Sequence, residues 1–225
     1  MTSSVEVPVP PASARDVFRD RLPLIERYAD FLADAGTVRG LIGPREVPRL
    51  WDRHLLNCGY VSDLVPAGAR VVDIGSGAGL PGLVLACRRP DLRIDLVESL
   101  QRRTDFLTEA VDRLELGDQV RVLRGRAEEP GIIARAGGAG WVTARAVAPL
   151  DKLARWALGL LAPTGRLLAM KGENAVAEVA ESRNAVERLG GSVLGIETLG
   201  GGTDPVRVVV VERVTRAGRS TRGRR

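Results

Sequence analysis

The N-terminal part of the chain has apolar residues at helical spacing. Between residues 11 and 36 the apolar positions recur every three or four residues, at Val17, Phe18, Leu22, Leu24, Ile25, Tyr28, Phe31 and Leu32. This spacing predicts a helix over residues 11–36 that ends near Gly36. A second helical segment is predicted over residues 47–58. Because aromatic residues at helical spacing usually face a core, we expect residues 1–65 to form a helical cap on the rest of the protein.

From residue 66 the pattern changes to short apolar runs that alternate with amphipathic segments. The runs predict strands at 70–74, 94–98, 120–123, 141–144 and 166–170, and the segments predict helices at 81–89, 101–114, 150–161 and 174–189. This alternation is typical of βαβ units. Two further strands, predicted at 192–199 and 206–214, are joined by too few residues for a crossover and should pair antiparallel. Residues 66–214 are therefore expected to form an α/β domain with a mostly parallel seven-stranded sheet and an antiparallel edge hairpin.

The composition is that of a folded globular protein. The chain has 225 residues, of which 44% are hydrophobic and 27% charged, and this excludes disordered, collagen-like and coiled-coil proteins. Its two cysteines, Cys58 and Cys87, stand apart in apolar surroundings, so we expect buried thiols, no disulfide and no metal site. No apolar run is long enough for a membrane span and no signal pattern opens the chain, so we predict a cytoplasmic protein. We also expect a monomer.

The positive charge is concentrated at the C-terminus. The formal net charge is +5, and six arginines follow Glu212 with no acid among them. Without those six, 27 basic and 28 acidic residues remain, so the body of the chain is nearly neutral. Residues 215–225 are predicted to form a disordered basic tail. Charge alone leaves open whether this tail binds a polyanion or is merely solvated.

A glycine-rich loop follows the first predicted strand. Gly77, Gly79 and Gly82 satisfy the pattern G-x-G-x-x-G, which by itself is a weak indication of a dinucleotide site. Asp73 argues against that cofactor, because an acid at the end of this strand would lie near the pyrophosphate. The same acid suits a ligand with an ammonium group, such as S-adenosylmethionine. We therefore expect Asp73, Gly75, Gly77 and Gly79 to border the cofactor.

Other candidate residues stand at the ends of later strands, where ligands bind in open α/β sheets. Glu98 lies 23 residues after Gly75, near the spacing at which an acid meets ribose hydroxyls. Residues 125–129 follow the third strand and can border an adenine. Arg145 and Lys171 end the fourth and fifth strands, so we expect them at the same edge of the sheet.

These residues together resemble the small-subunit ribosomal RNA guanine-N7 methyltransferase G family, also called glucose-inhibited division protein B. The resemblance covers about residues 15–214. The pieces that carry it are Arg53-His54, Asp73-Ile74-Gly75-Ser76-Gly77-Ala78-Gly79-Leu80-Pro81-Gly82, Glu98-Ser99 with Arg102-Arg103, Arg126-Ala127-Glu128, Ala144-Arg145-Ala146 and Lys171-Gly172. Among them, the Gly-Leu-Pro-Gly ending of the loop is far more specific than a generic glycine loop.

The resemblance implies a class I S-adenosylmethionine-dependent methyltransferase with a Rossmann-like sheet, acting on N7 of a guanine in 16S ribosomal RNA or the small ribosomal subunit. It implies cofactor contacts at Gly75, Leu80, Ala127, Glu128 and Arg145. It also implies that the RNA reaction needs Arg102, Arg126, Arg145 and Lys171, to which we add Arg53 and His54 as RNA-contacting candidates. His54 is expected to be structural or to touch RNA, and not to be catalytic. One departure is Arg102, where family members often have lysine.

The segment after the fourth strand fits this chemistry. Methylation of an exocyclic amine would call for a polar clamp such as Asn-Pro-Pro-Tyr, but residues 144–149 read Ala-Arg-Ala-Val-Ala-Pro. Guanine N7 has a free lone pair, so its methylation needs positioning and no general base. Arg145 and Lys171 would supply that positioning by holding O6 of the guanine or adjacent phosphates, since bidentate use of the N7/O6 edge would block N7. Two alternatives remain at this point, an NAD-dependent oxidoreductase and a non-catalytic RNA-binding module on the same fold.

Overall fold

The computed structural model describes residues 7–201 and 205–214. Its N-terminal α-helices are short, and short 3-10 and π-helical segments lie between them. The α-helices are α1 (Ala12–Phe18), α2 (Leu22–Phe31) and α3 (Leu56–Val61), the 3-10 turns are Arg19–Arg21, Pro44–Arg49 and Ser62–Leu64, and the π turns are Leu32–Gly36 and Leu50–Leu55. The helix predicted over 11–36 is thus divided, because Arg19 has a φ of 50° and ends α1. The segment predicted at 47–58 begins as a 3-10 turn that contains Pro48.

The predicted seven-stranded sheet is confirmed. Its strands are β1 (Arg70–Ile74), β2 (Arg93–Glu98), β3 (Val120–Arg124), β4 (Ala139–Arg145), β5 (Leu161–Lys171), β6 (Gly191–Leu199) and β7 (Val206–Arg213). The order is β3-β2-β1-β4-β5-β7-β6. Strands β1 to β5 pair parallel, while β7 pairs antiparallel with both β5 and β6. The carboxyl ends of β1, β2, β4 and β5 therefore meet at one edge of the sheet.

Five helices follow strands of the sheet. They are α4 (Gly82–Arg88), α5 (Gln101–Arg113), α6 (Pro130–Ala136), α7 (Leu150–Leu160) and α8 (Ala175–Arg188). Four of these agree with the predicted helices to within one residue at each end, but α6 was not predicted. It has only seven residues, including Pro130 and Gly131, and this is too short for a clear apolar period.

Two hydrophobic clusters lie on opposite faces of the sheet. The first cluster contains residues of the cap helices α1, α2 and α3 together with residues of α4 and α5. The second contains residues of α6, α7 and α8. Phe18, Tyr28, Phe31 and Trp51 are buried in the first cluster, which confirms that the N-terminal aromatic residues build core. Cys58 and Cys87 are also buried and free, as predicted. The predicted basic tail, residues 215–225, lies outside the described residues. Within the described part of the chain, no helix has the length and apolar character needed to cross a membrane.

Candidate functional site

Two recesses open at the carboxyl edge of the sheet, on opposite sides of residues 146–149, which we call the divider loop. The first, the acidic cleft, has a volume of about 240 Å³, and Val147 of the divider loop forms part of its wall. The second, the basic pocket, has a volume of about 530 Å³, and Ala146 forms part of its wall. The divider loop connects β4 to α7, so one short segment borders both recesses.

The glycine loop after β1 requires left-handed backbone. Gly75, Gly77 and Gly79 have φ values of 64°, 56° and 96°, which side chains other than glycine rarely adopt. At Gly75 a Cβ atom would also lie 2.8 Å from Cγ2 of Val147. The loop therefore fits closely beneath the divider loop at Gly75. Of the loop residues predicted to bind cofactor, Gly75 lines the acidic cleft, whereas Gly77, Gly79 and Leu80 lie further along the loop.

Asp73 lies beneath the glycine loop and has no exposed surface. Its Oδ1 accepts a hydrogen bond of 2.7 Å from the hydroxyl of Thr143, and its Oδ2 accepts one of 3.3 Å from the backbone N–H of Gly82. Burial raises the pKa of this carboxyl to about 6, against the effect of these hydrogen bonds. The structure thus shows Asp73 joining β1 to β4 and to α4, and does not place it among the residues that line the acidic cleft.

Glu98 fixes the opposite side of the glycine loop. Its Oε2 accepts a hydrogen bond of 3.1 Å from the N–H of Gly77, and its Oε1 accepts one of 3.0 Å from the N–H of Leu100. Arg103 lies 3.4 Å from the same carboxylate. The side chain is only 3% exposed, yet it lines the acidic cleft. Glu98 therefore joins the loop to the start of α5 and still offers its carboxylate to a ligand.

The rest of the acidic cleft combines acidic and apolar residues. Ala127 and Glu128, predicted from the sequence, lie in the segment after β3 and line the cleft. Arg126, predicted to contact RNA, lines the same cleft. Val147 and Trp156 also line the cleft and were missed, because neither belongs to a recognisable motif. A cleft with carboxylates and flat apolar walls suits the ribose and adenine of a nucleoside.

The basic pocket brings together three predicted residues, Arg53, Arg145 and Lys171. Arg49 and Arg207 also line it and were not predicted, because they come from the cap and from β7, far apart in the sequence. Glu173 is the one acid among the described residues that line it. Five cations and one acid line the pocket, and cations stay in excess even after Arg53 and Lys171 are paired with Glu46 and Glu178. This positive charge suits RNA phosphates.

Arg145 is held by a chain of hydrogen bonds that starts in the cap. Its Nη2 lies 2.6 Å from Nδ1 of His54, and Nε2 of His54 lies 2.8 Å from Oε2 of Glu46. Burial, followed by the nearby Arg145 cation, lowers the pKa of His54 to about 4. A neutral imidazole beside an arginine accepts at Nδ1, so its Nε2–H donates to Glu46. That bond lowers the pKa of Glu46. His54 is thus buried behind Arg145, in a structural position.

Lys171 is engaged within the protein. Its Nζ donates hydrogen bonds of 2.8 Å to the backbone oxygen of Ala148 and 2.7 Å to Oε1 of Glu178. Its side chain is 11% exposed. The same Oε1 of Glu178 accepts a hydrogen bond of 2.7 Å from the N–H of Leu150, the first residue of α7. The sequence predicted an ammonium at a strand end facing the substrate, and it gave no sign of Glu178 as its partner.

Comparison with known proteins identifies the family. The family described as rRNA small subunit methyltransferase G matches residues 21–206. The chain belongs to this family. It is 53% identical to the ribosomal RNA small subunit methyltransferase G of Salinispora arenicola (strain CNS-205), over 100% of both chains. It is 56% identical to the relative of the same name from Thermobifida fusca (strain YX), over 93% of this chain and 87% of that one. The resemblance drawn from the sequence motifs is therefore confirmed.

Solved structures share the fold of this rRNA small subunit methyltransferase G family member. The mitomycin 7-O-methyltransferase MmcR gives a TM-score of 0.58 at 19% identity, covering 91% of this chain and 76% of its own. TYW2 of M. jannaschii in complex with AdoMet gives 0.54 at 16% identity, covering 71% of this chain and 74% of its own. At these identities the likeness concerns the fold alone.

The family motifs of this chain lie around both recesses, with one exception. Arg102 is exposed in the first turn of α5 and does not appear in the lining of either recess. The motif Arg126-Ala127-Glu128 lines the acidic cleft, whereas Arg53, Arg145 and Lys171-Gly172 line the basic pocket. The roles assigned to these residues from the sequence stay predictions.

Proposed function

We propose that this protein transfers a methyl group from S-adenosylmethionine to N7 of a guanine in 16S ribosomal RNA. The observation that carries the proposal is the pair of recesses that share the divider loop. One has carboxylates and apolar walls, and the other has a net positive charge. Family membership supports the same reading, since the relatives are named as methyltransferases of small-subunit ribosomal RNA.

The residues of the acidic cleft fit the adenosine part of this cofactor. Glu98 would accept hydrogen bonds from ribose hydroxyls, and the apolar Val147 and Trp156 would face the adenine. When bound, S-adenosylmethionine supplies a methyl group on a positively charged sulfur, and the lone pair of guanine N7 can take up this methyl. Gly75 would let the glycine loop lie directly against the divider loop at the edge of the cofactor site, because any side chain there would meet Val147.

The basic pocket would hold the RNA. Arg53 and Arg207 are placed to contact phosphates, and Arg145 would orient the guanine through O6 or an adjacent phosphate, leaving N7 open. No proton leaves guanine when N7 is methylated, so no general base is needed. His54 agrees with this, because both its ring nitrogens are engaged and its pKa of about 4 leaves it neutral.

The two alternatives lead to different measurements. Calorimetric titration with S-adenosylhomocysteine and with NAD separates the methyltransferase from the NAD-dependent oxidoreductase. We expect the thioether to bind and NAD not to bind, and the reverse result would overturn the proposal. Methyl transfer to naked 16S RNA and to assembled small subunits, followed by mass-spectrometric mapping of N7-methylguanosine, then tests the reaction. Cofactor binding without transfer to either substrate would favour the RNA-binding module.

Arg145→Ala is the variant that tests the basic pocket. We expect it to lower methyl transfer at least tenfold, because it removes a cation from the pocket and leaves His54 without its donor. Arg155→Ala is the matched control, since Arg155 is exposed on α7 and lines neither recess. Equal activity of the two variants would show that the basic pocket is not where the RNA reacts.

A further inference from the structure

The divider loop is fixed by a polar clamp that Lys171 and Glu178 form. Lys171 at the end of β5 donates to the backbone oxygen of Ala148, and both Lys171 and the N–H of Leu150 donate to one oxygen of Glu178 on α8. The distances are 2.8, 2.7 and 2.7 Å. The clamp therefore ties both ends of residues 148–150 to elements that are themselves packed in the core.

The inner side of the same loop forms a wall of the acidic cleft. Val147 lines that cleft, and its methyl groups occupy the space that a Cβ atom at Gly75 would take. Ala146, on the other side, has a φ of 55°, which a residue other than glycine adopts only when its surroundings enforce it. A loop whose backbone is strained and whose adjacent residues Ala146 and Val147 line different recesses needs an external restraint to keep one position.

We propose that Lys171 and Glu178 are positioning residues, which act on the cofactor cleft through the divider loop and not by contact with RNA. The expected effect on catalysis rests on the proposed function. The expected effect on cofactor binding does not depend on methyl transfer to RNA. Loss of the clamp should let Val147 move away from Gly75, so that the cofactor binds more weakly and its methyl group is less well aligned with the basic pocket.

The burial and pairing of Lys171 favour this role over direct RNA contact. A lysine that meets phosphates usually presents a mobile, hydrated ammonium, whereas this side chain is 11% exposed and already neutralised by Glu178. To reach RNA, its ammonium would have to leave a carboxylate and a carbonyl oxygen. Arg53 lines the same pocket with 44% of its side chain exposed, so its guanidinium meets solvent even while it pairs with Glu46 at 3.3 Å.

The test compares Lys171→Met, Glu178→Met and the double variant. Each protein is titrated with S-adenosylhomocysteine by calorimetry, and its kcat and RNA KM are then measured at saturating cofactor. We expect each single variant to weaken thioether binding roughly tenfold, the effect of a hydrogen bond to a charged group. Because both residues act through one clamp, the double variant should be no weaker than either single variant. RNA KM should change less than twofold.

The matched control is Lys152→Met, since Lys152 is the other lysine and is exposed on α7. If the methionine variants unfold, Glu178→Gln keeps an acceptor for Leu150 while removing the charge that holds Lys171, and it should weaken thioether binding roughly threefold. Unchanged thioether affinity in folded Lys171 or Glu178 variants would overturn the proposal. So would a higher RNA KM for Lys171→Met alone. These binding results stand even if the wild type methylates no RNA, so the two proposals can fail separately.

Discussion

His54 is neutral because it is buried and, in second place, because a cation already lies beside it. Arg145 donates to its Nδ1, and burial removes the water that would stabilise an imidazolium. The Glu46 carboxylate favours the charged form but does not compensate, and the pKa falls to about 4. The only histidine of the chain thus serves as an uncharged link between the cap and Arg145.

A pH dependence of stability follows from this pKa. Between about pH 6.5 and pH 4 the unfolded chain binds a proton at His54 that the folded chain does not, so folding stability falls as the pH is lowered through this window. The contribution is at most about 3 kcal/mol. Asp73, with its raised pKa, acts in the opposite direction over part of this window, so the comparison must be with a His54→Gln variant. Urea unfolding at pH 7.5 and 4.5 should show a smaller loss for the variant, and parallel losses would contradict the buried neutral histidine.

A side chain at Gly75 is expected to destabilise the protein more than a side chain at Gly77. Both have positive φ, but a Cβ atom at Gly75 would meet Val147 at 2.8 Å, whereas at Gly77 the nearest atom is 3.7 Å away. Gly77→Ala should therefore cost only the backbone strain, about 1–2 kcal/mol of stability. Gly75→Ala should cost more and also weaken S-adenosylhomocysteine binding, because Val147 must move. Thermal unfolding and calorimetric titration of the two variants measure these losses. Equal losses would show that Val147 moves aside at little cost.

The residues found from the sequence are those whose roles are local. Gly75, Glu98 and Ala127 follow strands in a recognisable order, so their place at one edge of the sheet could be predicted. Thr143 and Glu178 could not be found in this way. Thr143 meets Asp73 through the parallel register of β1 and β4, and Glu178 meets Lys171 through the packing of α8. Such partners depend on tertiary structure, which no short motif encodes.

Helix α2 is joined to the glycine loop by one buried hydrogen bond. The hydroxyl of Tyr28 donates to the backbone oxygen of Ala78 at 2.5 Å. Burial raises the pKa of this hydroxyl well above 10, so it stays a donor. The cap is thereby connected to the loop that borders the acidic cleft.

Tyr28→Phe should remove the hydrogen bond between α2 and the glycine loop. The variant leaves the Ala78 oxygen without its donor in a buried site, so we expect a loss of about 1–3 kcal/mol in the free energy of unfolding. Cofactor affinity should fall with it, because the glycine loop loses a restraint. Urea denaturation and thioether titration measure the two effects. Tyr60→Phe is the control, since the hydroxyl of Tyr60 has no hydrogen bond among those that the described residues show, and matching losses in both variants would refute the link.

The order of the elements was easier to predict than their internal regularity. Strong apolar periods located α5, α7 and α8 to within one residue at each end. The cap helices were predicted too long, because residues 11–36 keep their apolar spacing across the left-handed turn at Arg19. Close to this break, Arg88 of α4 donates to the backbone oxygens of Val17 and Gly59, and such tertiary contacts leave no signal in the apolar spacing.

Positive charge is unevenly distributed over the molecule. Residues 1–212 carry a formal net charge of −1, yet the basic pocket collects five cations and one acid. Long-range attraction to RNA is therefore weak for the body as a whole and is concentrated at this pocket. The cap contributes Arg49 and Arg53 to it, and β7 contributes Arg207. Under the proposed function, we therefore expect RNA binding to depend on the cap and the sheet together.

Arginines beyond the last strand should add to this attraction. Ending the chain at Val214 removes Arg216, Arg219, Arg222, Arg224 and Arg225 and leaves β7 whole. If about half of these arginines meet phosphates, the slope of log affinity against log salt should flatten by roughly 2 units, from ~0.7 to 0.9 per contact. Turnover at saturating RNA should persist, because both recesses remain, while KM for RNA rises most at low salt. Filter binding from low to moderate salt measures the slope, and an unchanged slope would mean that these arginines do not touch the RNA.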